Sequence, residues 1–91
     1  MSASTLVESK VAVGTTFALA SAWNSGKRYT MVQADSANTG IIYCGGSAAV
    51  TAATGFGELE AGQVVTFLGS AAVYVISGEV SQNVRVIEGR A

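Results

Sequence analysis

Residues 28–34, RYTMVQA, alternate with a period of two: Thr30, Val32 and Ala34 face one way, Tyr29, Met31 and Gln33 the other. That period belongs to a strand with one buried face. Further runs, GIIYC (40–44), QVVTFL (63–68), AVYVIS (72–77) and NVRVIE (83–88), are rich in β-branched or aromatic residues, and KVAV and TFAL near the start are weaker versions. Turn formers stand between them: Asn24-Ser25-Gly26, residues 35–40, Glu60-Ala61-Gly62, Ser77-Gly78-Glu79 and Ser81-Gln82-Asn83. No stretch sustains apolar i, i+3, i+4 spacing with helix caps, and residues 47–55, SAAVTAATG, fit neither pattern well. Short strands at intervals of about ten residues predict an all-β chain, a single small antiparallel β-sandwich or jelly-roll-like barrel. The sandwich is expected over residues 11–91. Residues 1–10, MSASTLVESK, read as a flexible N-terminal arm, frayed when free or docked on a neighbour as an added strand.

A chain of 91 residues makes one domain and buries only roughly 60–65% of its unfolded surface, so extra contacts matter. A lone cysteine makes no internal disulfide. With no histidine and one cysteine a zinc cage is not expected, nor is any other metal or cofactor. Association is the route left open. Charged residues are 12% of the chain, against about a quarter in ordinary soluble domains, so little charge must be desolvated when copies pack together. The net charge is −1, and five scattered basic residues form no stripe for nucleic acid or an anionic membrane surface. No run is long and apolar enough to span a bilayer. Residues 10–22 mimic the apolar core of a signal peptide ending in Ala-x-Ala, but Glu8 and Gly14-Thr15-Thr16 argue against it. The chain lacks proline, which removes one common guard of exposed sheet edges.

The candidate chemistry is thin. Cys44, in NTGIIYCGG, has no basic neighbour to lower its pKa and reads as a small apolar strand residue. Gly45-Gly46 would then turn the chain after it. Gly45-Gly46-Ser47 resembles part of a nucleophile elbow, but Ala49 stands where Gly-x-Ser-x-Gly needs its last glycine. A serine–lysine pair has only Lys10 and Lys27 to draw on. Glu58 and Glu60 lie two apart and read as solvated loop charges. No catalytic residue is expected, and the chain reads as a non-enzyme. Tyr43, Phe67 and Tyr74 are expected to pack on the sheets. Trp23 and Phe56 lie beside loops; core is the first reading for each, with interface anchor the alternative. With Leu6 and Val7 of the arm, they are the candidate interface residues.

The order QADSANTGIIYCGGS, GELEAGQVVTFLGS, AVYVIS, NVRVIEGR resembles a class of small virion proteins of tailed bacteriophages. In that class an NTG-x-I-Y-V-G-G stretch precedes an L-x-P/A-G turn and strand, then V-Y-V-I and V-R-V strands. The likeness covers residues 33–90. Cys44 stands where valine is usual and Ala61 where proline is common. The resemblance implies a capsid decoration, or cement, protein on the outside of the head. It would be a homo-oligomer, most often a trimer, bound to the major capsid protein at subunit junctions. Rival expectations are a tail, fibre or head-spike part, or a carbohydrate-binding β-sandwich using Trp23 with Asn24, or Tyr29 beside Arg28.

Overall fold

A computed structural model describes residues 5–91, the Phe56 side chain apart. It contains eight strands: β1 (Thr5–Val13), β2 (Ala18–Ser21), β3 (Lys27–Ala34), β4 (Ile42–Gly45), β5 (Phe56–Leu59), β6 (Val64–Leu68), β7 (Val73–Ser77) and β8 (Gln82–Arg90). They form two antiparallel sheets, ordered β1-β8-β3-β6 and β2-β7-β4-β5. β1 pairs with β8, β2 with β7, β3 with β6 and β4 with β5, so each pair of labels sums to nine. The chain is one long double ribbon that has been rolled up, and the seams β3–β8 and β4–β7 close it. This is jelly-roll order, so of the two all-β shapes expected from the sequence the chain adopts a jelly-roll sandwich.

The predicted alternation holds in space. Thr30, Val32 and Ala34 are buried, while Tyr29, Met31 and Gln33 lie on the outer face of β3. Val84 and Val86 of β8 meet Val73 and Val75 of β7, Ile42 and Cys44 of β4 and Leu59 of β5 between the sheets. No aromatic side chain belongs to this buried set among the described residues. The expectation of a core position is therefore corrected for Trp23; the Phe56 side chain lies outside the described residues. Phe67 packs against the core from its margin, Tyr43 and Tyr74 are half-buried on the outer face of their sheet, and Trp23 is 65% exposed.

The arm also needs correction from Thr5 onward, where residues 5–10 are the first part of β1. β1 runs beside β8 in unbroken register from Thr5 opposite Arg90 to Val13 opposite Gln82. Without it β8 would be an edge, with its outward amides and carbonyls unpaired. Glu8, Ser9 and Lys10 interrupt the apolar pattern and hid the first half of this strand, while KVAV (10–13) is a weaker candidate for the second. β5 was hidden too, because Gly57 sits in it at φ +65° beside a register shift. The expected turn at 60–63 is present: Gln63 N–H donates to Glu60 O at 3.0 Å, and Gly62 takes φ +85° where a type II turn requires it. Residues 47–55 form turns rather than a helix, and Val50 packs against Gly45 so closely that no side chain fits there.

Cys44 is fully buried, and burial pushes its thiol up to about 11. Cys44→Val keeps the volume and is expected to change stability by less than about 1.5 kcal/mol in urea unfolding. A thiol reagent at pH 8 is expected to label the native protein only at the rate at which it opens.

Candidate interaction surfaces

The largest fully buried side chain is Lys27, at the start of β3. Its Nζ donates to Ser21 Oγ at 2.8 Å, Ala71 O at 2.7 Å and Ala22 O at 3.0 Å, which uses all three protons. Ser21 Oγ in turn donates to Glu88 Oε2 at 2.6 Å, and Arg90 reaches Glu88 Oε1 through Nη2 at 2.6 Å and Nε at 3.0 Å. Ser21 belongs to one sheet and Lys27, Glu88 and Arg90 to the other, so the network ties the sheets together where the valine core ends. Burial lowers the Lys27 pKa, opposed by Glu88 and aided by Arg90. Burial pushes Glu88 up, but the Ser21 hydroxyl and the charges of Arg90 and Lys27 leave it below the usual carboxylate range. The serine–lysine pair thus exists, yet its hydroxyl proton is committed to Glu88 and both side chains are at most 2% exposed. Its geometry is that of a structural tie.

The polar groups being satisfied inside, the surface carries the unusual chemistry. Across the β1-β8-β3-β6 sheet the registers align Leu6, Gly89, Tyr29 and Leu68 in one outward row. Glu8, Ile87, Met31 and Thr66 form the next row, and Lys10, Arg85, Gln33 and Val64 a third. The Tyr29 ring covers Gly89, where any Cβ would collide with it. A groove of about 420 Å³ crosses the last two rows, with Met31, Ile87 and Val64 as apolar lining and Glu8, Lys10 and Arg85 as charges. Leu6 is 61% and Leu68 74% exposed. On the opposite sheet Leu19 pairs with Tyr74 and Tyr43 with Ile76, all facing out, and Phe17 meets Tyr74 edge-on at 5.9 Å.

Of the expected interface residues, Leu6 is exposed and Val7 half-buried on β1. Trp23 stands in the β2–β3 loop, at the end of the sheet where the Leu6 row lies, since Gly26 O accepts from Ala91 N–H and Asn24 N–H donates to Ser70 O. The Asn24 side chain is occupied by Gly26 N–H at 2.8 Å. Phe56 opens β5 at the edge of the other sheet, and its side chain lies outside the described residues. The structure therefore gathers Leu6, Val7 and the Trp23 loop at one end and sets Phe56 apart. Sequence reasoning named Tyr29, beside Arg28, as an exposed candidate but missed Leu68, Leu19 and Tyr74 as surface; alternation sets them opposite the buried residues without showing that they form apolar patches on both outer faces.

No protein-family model and no curated protein matches the sequence. Among solved structures, the chain is similar to one described as "Bacillus endospore appendages form a novel family of disulfide-linked pili", at 19% identity and a TM-score of 0.48, over 94% of this chain and 88% of that one.

Removing the central cation tests the tie. Lys27→Ala leaves the Ala22 and Ala71 carbonyls and Ser21 Oγ without their donor while Arg90 still holds Glu88, and is expected to cost about 2–4 kcal/mol in urea unfolding. A loss below about 1 kcal/mol would show that water replaces the ammonium at no great cost. The same measurement run against pH has a definite sign. Glu88 and Asp35 both have lowered pKa values, Asp35 chiefly through the Ala37 N–H and then through Lys10. Their stabilisation is complete above the unfolded carboxylate range and is lost as pH falls through the lower folded values. Lys27 acts at the other end: its lowered pKa means that stability rises as pH climbs through the folded value towards 10.5.

Proposed function

We propose that this chain is a non-enzymatic structural part of a virion, a decoration protein that sits on the outside of a tailed-phage head and reinforces it. The observation that carries the reading is the exposed apolar patch on each outer face. A sandwich uses the inner faces of its sheets to fold; Leu6, Tyr29, Leu68 and Val64 on one outer face and Phe17, Leu19, Tyr43 and Tyr74 on the other contribute little to that core. Such area is a cost for a free monomer and an asset for a part that is covered by neighbours. The sequence resemblance supplies the shell as the neighbour, with the major capsid protein as partner. Jelly rolls occur in capsid and lectin domains alike, so the fold by itself does not choose between them.

The mechanism follows from load sharing. A shell packed with DNA is stressed at its subunit junctions. A small protein seated across a junction adds buried area that must be separated before the shell opens, and many copies make modest contacts effective. A near-neutral surface lets copies crowd without repulsion.

Co-sedimentation with heads lacking the protein, followed by heat or osmotic challenge, tests the reading. Saturable binding with improved survival of DNA-filled heads is the expected result. Absence of binding would defeat it and turn attention to tails and fibres. Binding to host glycans that quenches Trp23 fluorescence would favour the carbohydrate-binding reading, for which the 65% exposure of Trp23 is the relevant observation.

A further inference from the structure

The four sheet edges are not alike. β2 and β5 are four residues long and each carries a register shift, which spoils an edge as a template. β6 is five residues long. β1 has nine residues, no shift and no proline, and outside its ladder to β8 its backbone has no hydrogen-bonded partner among the described residues. Residues 5–10 are exposed except for half-buried Val7. A long regular edge is a pairing site unless something blocks it.

The residues on this edge say what it fits. The strand reads TLVESKVAV, two apolar flanks around Glu-Ser-Lys. In an antiparallel pair with a second copy, centred on Ser9, the sum of facing residue numbers is 18. Glu8 of one copy then faces Lys10 of the other, twice over; Val7 faces Val11, and Leu6 faces Ala12. Facing residues share parity, so Glu8 and Lys10 meet on the outer face and the valines on the inner one. A parallel pair in register, or an antiparallel pair centred on Glu8 or Lys10, sets like charges against each other. Glu8 has no ion-pair partner among the described residues, and the Lys10 side chain stays 58% exposed despite its 3.4 Å contact with Asp35.

We propose that β1 is a self-complementary edge through which two copies join about a two-fold axis at Ser9, making one continuous eight-stranded sheet. This goes beyond the decoration reading, which names no contact between copies of this chain, and is independent of the shell. It replaces the threefold contact that the sequence resemblance implies with an isologous one. In the pair the grooves beside Glu8, Lys10 and Arg85 lie next to each other across the new seam.

Charge reversal tests the register. Light scattering of the purified protein at about 100 µM is expected to give the dimer mass, with weakening as salt rises. Glu8→Lys and Lys10→Glu, each on its own, are expected to weaken the dimer at least tenfold at low salt while leaving the melting curve of the monomer in place. The double variant Glu8→Lys/Lys10→Glu is expected to recover the dimer. So is an equimolar mixture of the two single variants, as a heterodimer. A monomer or trimer for the unmodified protein, single variants that associate as well as it does, or absence of recovery in the double variant and the mixture would overturn the proposal. Head binding by a protein that stays monomeric would overturn this edge contact and leave the decoration reading standing. A charge-dependent dimer that ignores heads would do the reverse.

Discussion

The space between the sheets admits only small side chains, and much else follows from that. Its buried apolar residues are valine, alanine and cysteine, with Ile42 and Leu59 as the largest. Strands whose inner positions are mostly valine suit a pleated surface and pack with few voids, but they fill a thin layer. Among the described rings, Phe67 alone packs against this layer, and at its margin. Tyr29, Tyr43 and Tyr74 are placed on outer faces, and Trp23 and Phe17 at the ends of strands. The same thinness bears on the end of the sandwich where β2 approaches β3. There the gap is closed by the long side chain of Lys27, whose ammonium lands among two carbonyls and the Ser21 hydroxyl. Apolar surface thus moves outward and a charge moves inward, the reverse of ordinary expectation, because of the size of what the sheets can hold.

How much of this could be read beforehand depends on the range of the interactions. Alternation is a local property, so β3, β4, β6, β7 and β8 were legible within a residue or two, as was the burial of Cys44. The turn at Gly62 was legible for the same reason, since its glycine answers a local backbone demand. Local signals failed where a strand is held by its partner. β1 contains Glu8, Ser9 and Lys10 and is a strand because β8 needs a neighbour. β5 has a glycine and a glutamate among its four residues and is held by β4. The rolled pairing, in which β1 meets β8 and β2 meets β7, has no local signature at all.

The surfaces were legible in part. Low charge in the sequence raised the expectation of a protein that packs against others, and the structure exposes rows of apolar side chains on its sheets. Leu6 and Trp23 were named beforehand because one sits in an apolar patch near the start and the other beside a turn. Tyr29 was named too, beside Arg28, but its row with Leu6 and Leu68 across Gly89 was not, because that row depends on strands distant in the chain. The Ser21–Lys27–Glu88 tie was equally silent: it joins residues 67 positions apart, and none of the three stands in a motif. Its network also limits chemistry. A serine beside a lysine invites a reading as a nucleophile, but here the donor and acceptor directions are already spoken for.

The rolled ribbon has a temporal side. During synthesis β1 leaves the ribosome first and β8 last, yet the two are neighbours in the finished sheet. Seven strands are therefore made before β1 finds its partner, and the β1–β8 and β2–β7 pairs must close the longest loops in the chain. The innermost hairpin, β4 with β5, has its halves closest in sequence, so rolling can proceed from the middle outward. Through most of that time both sides of β1 stand open, and neighbouring nascent chains present the same strand. Spacing between ribosomes, chaperone cover or the speed of the last residues then decides whether β1 first meets its own β8 or a copy of itself.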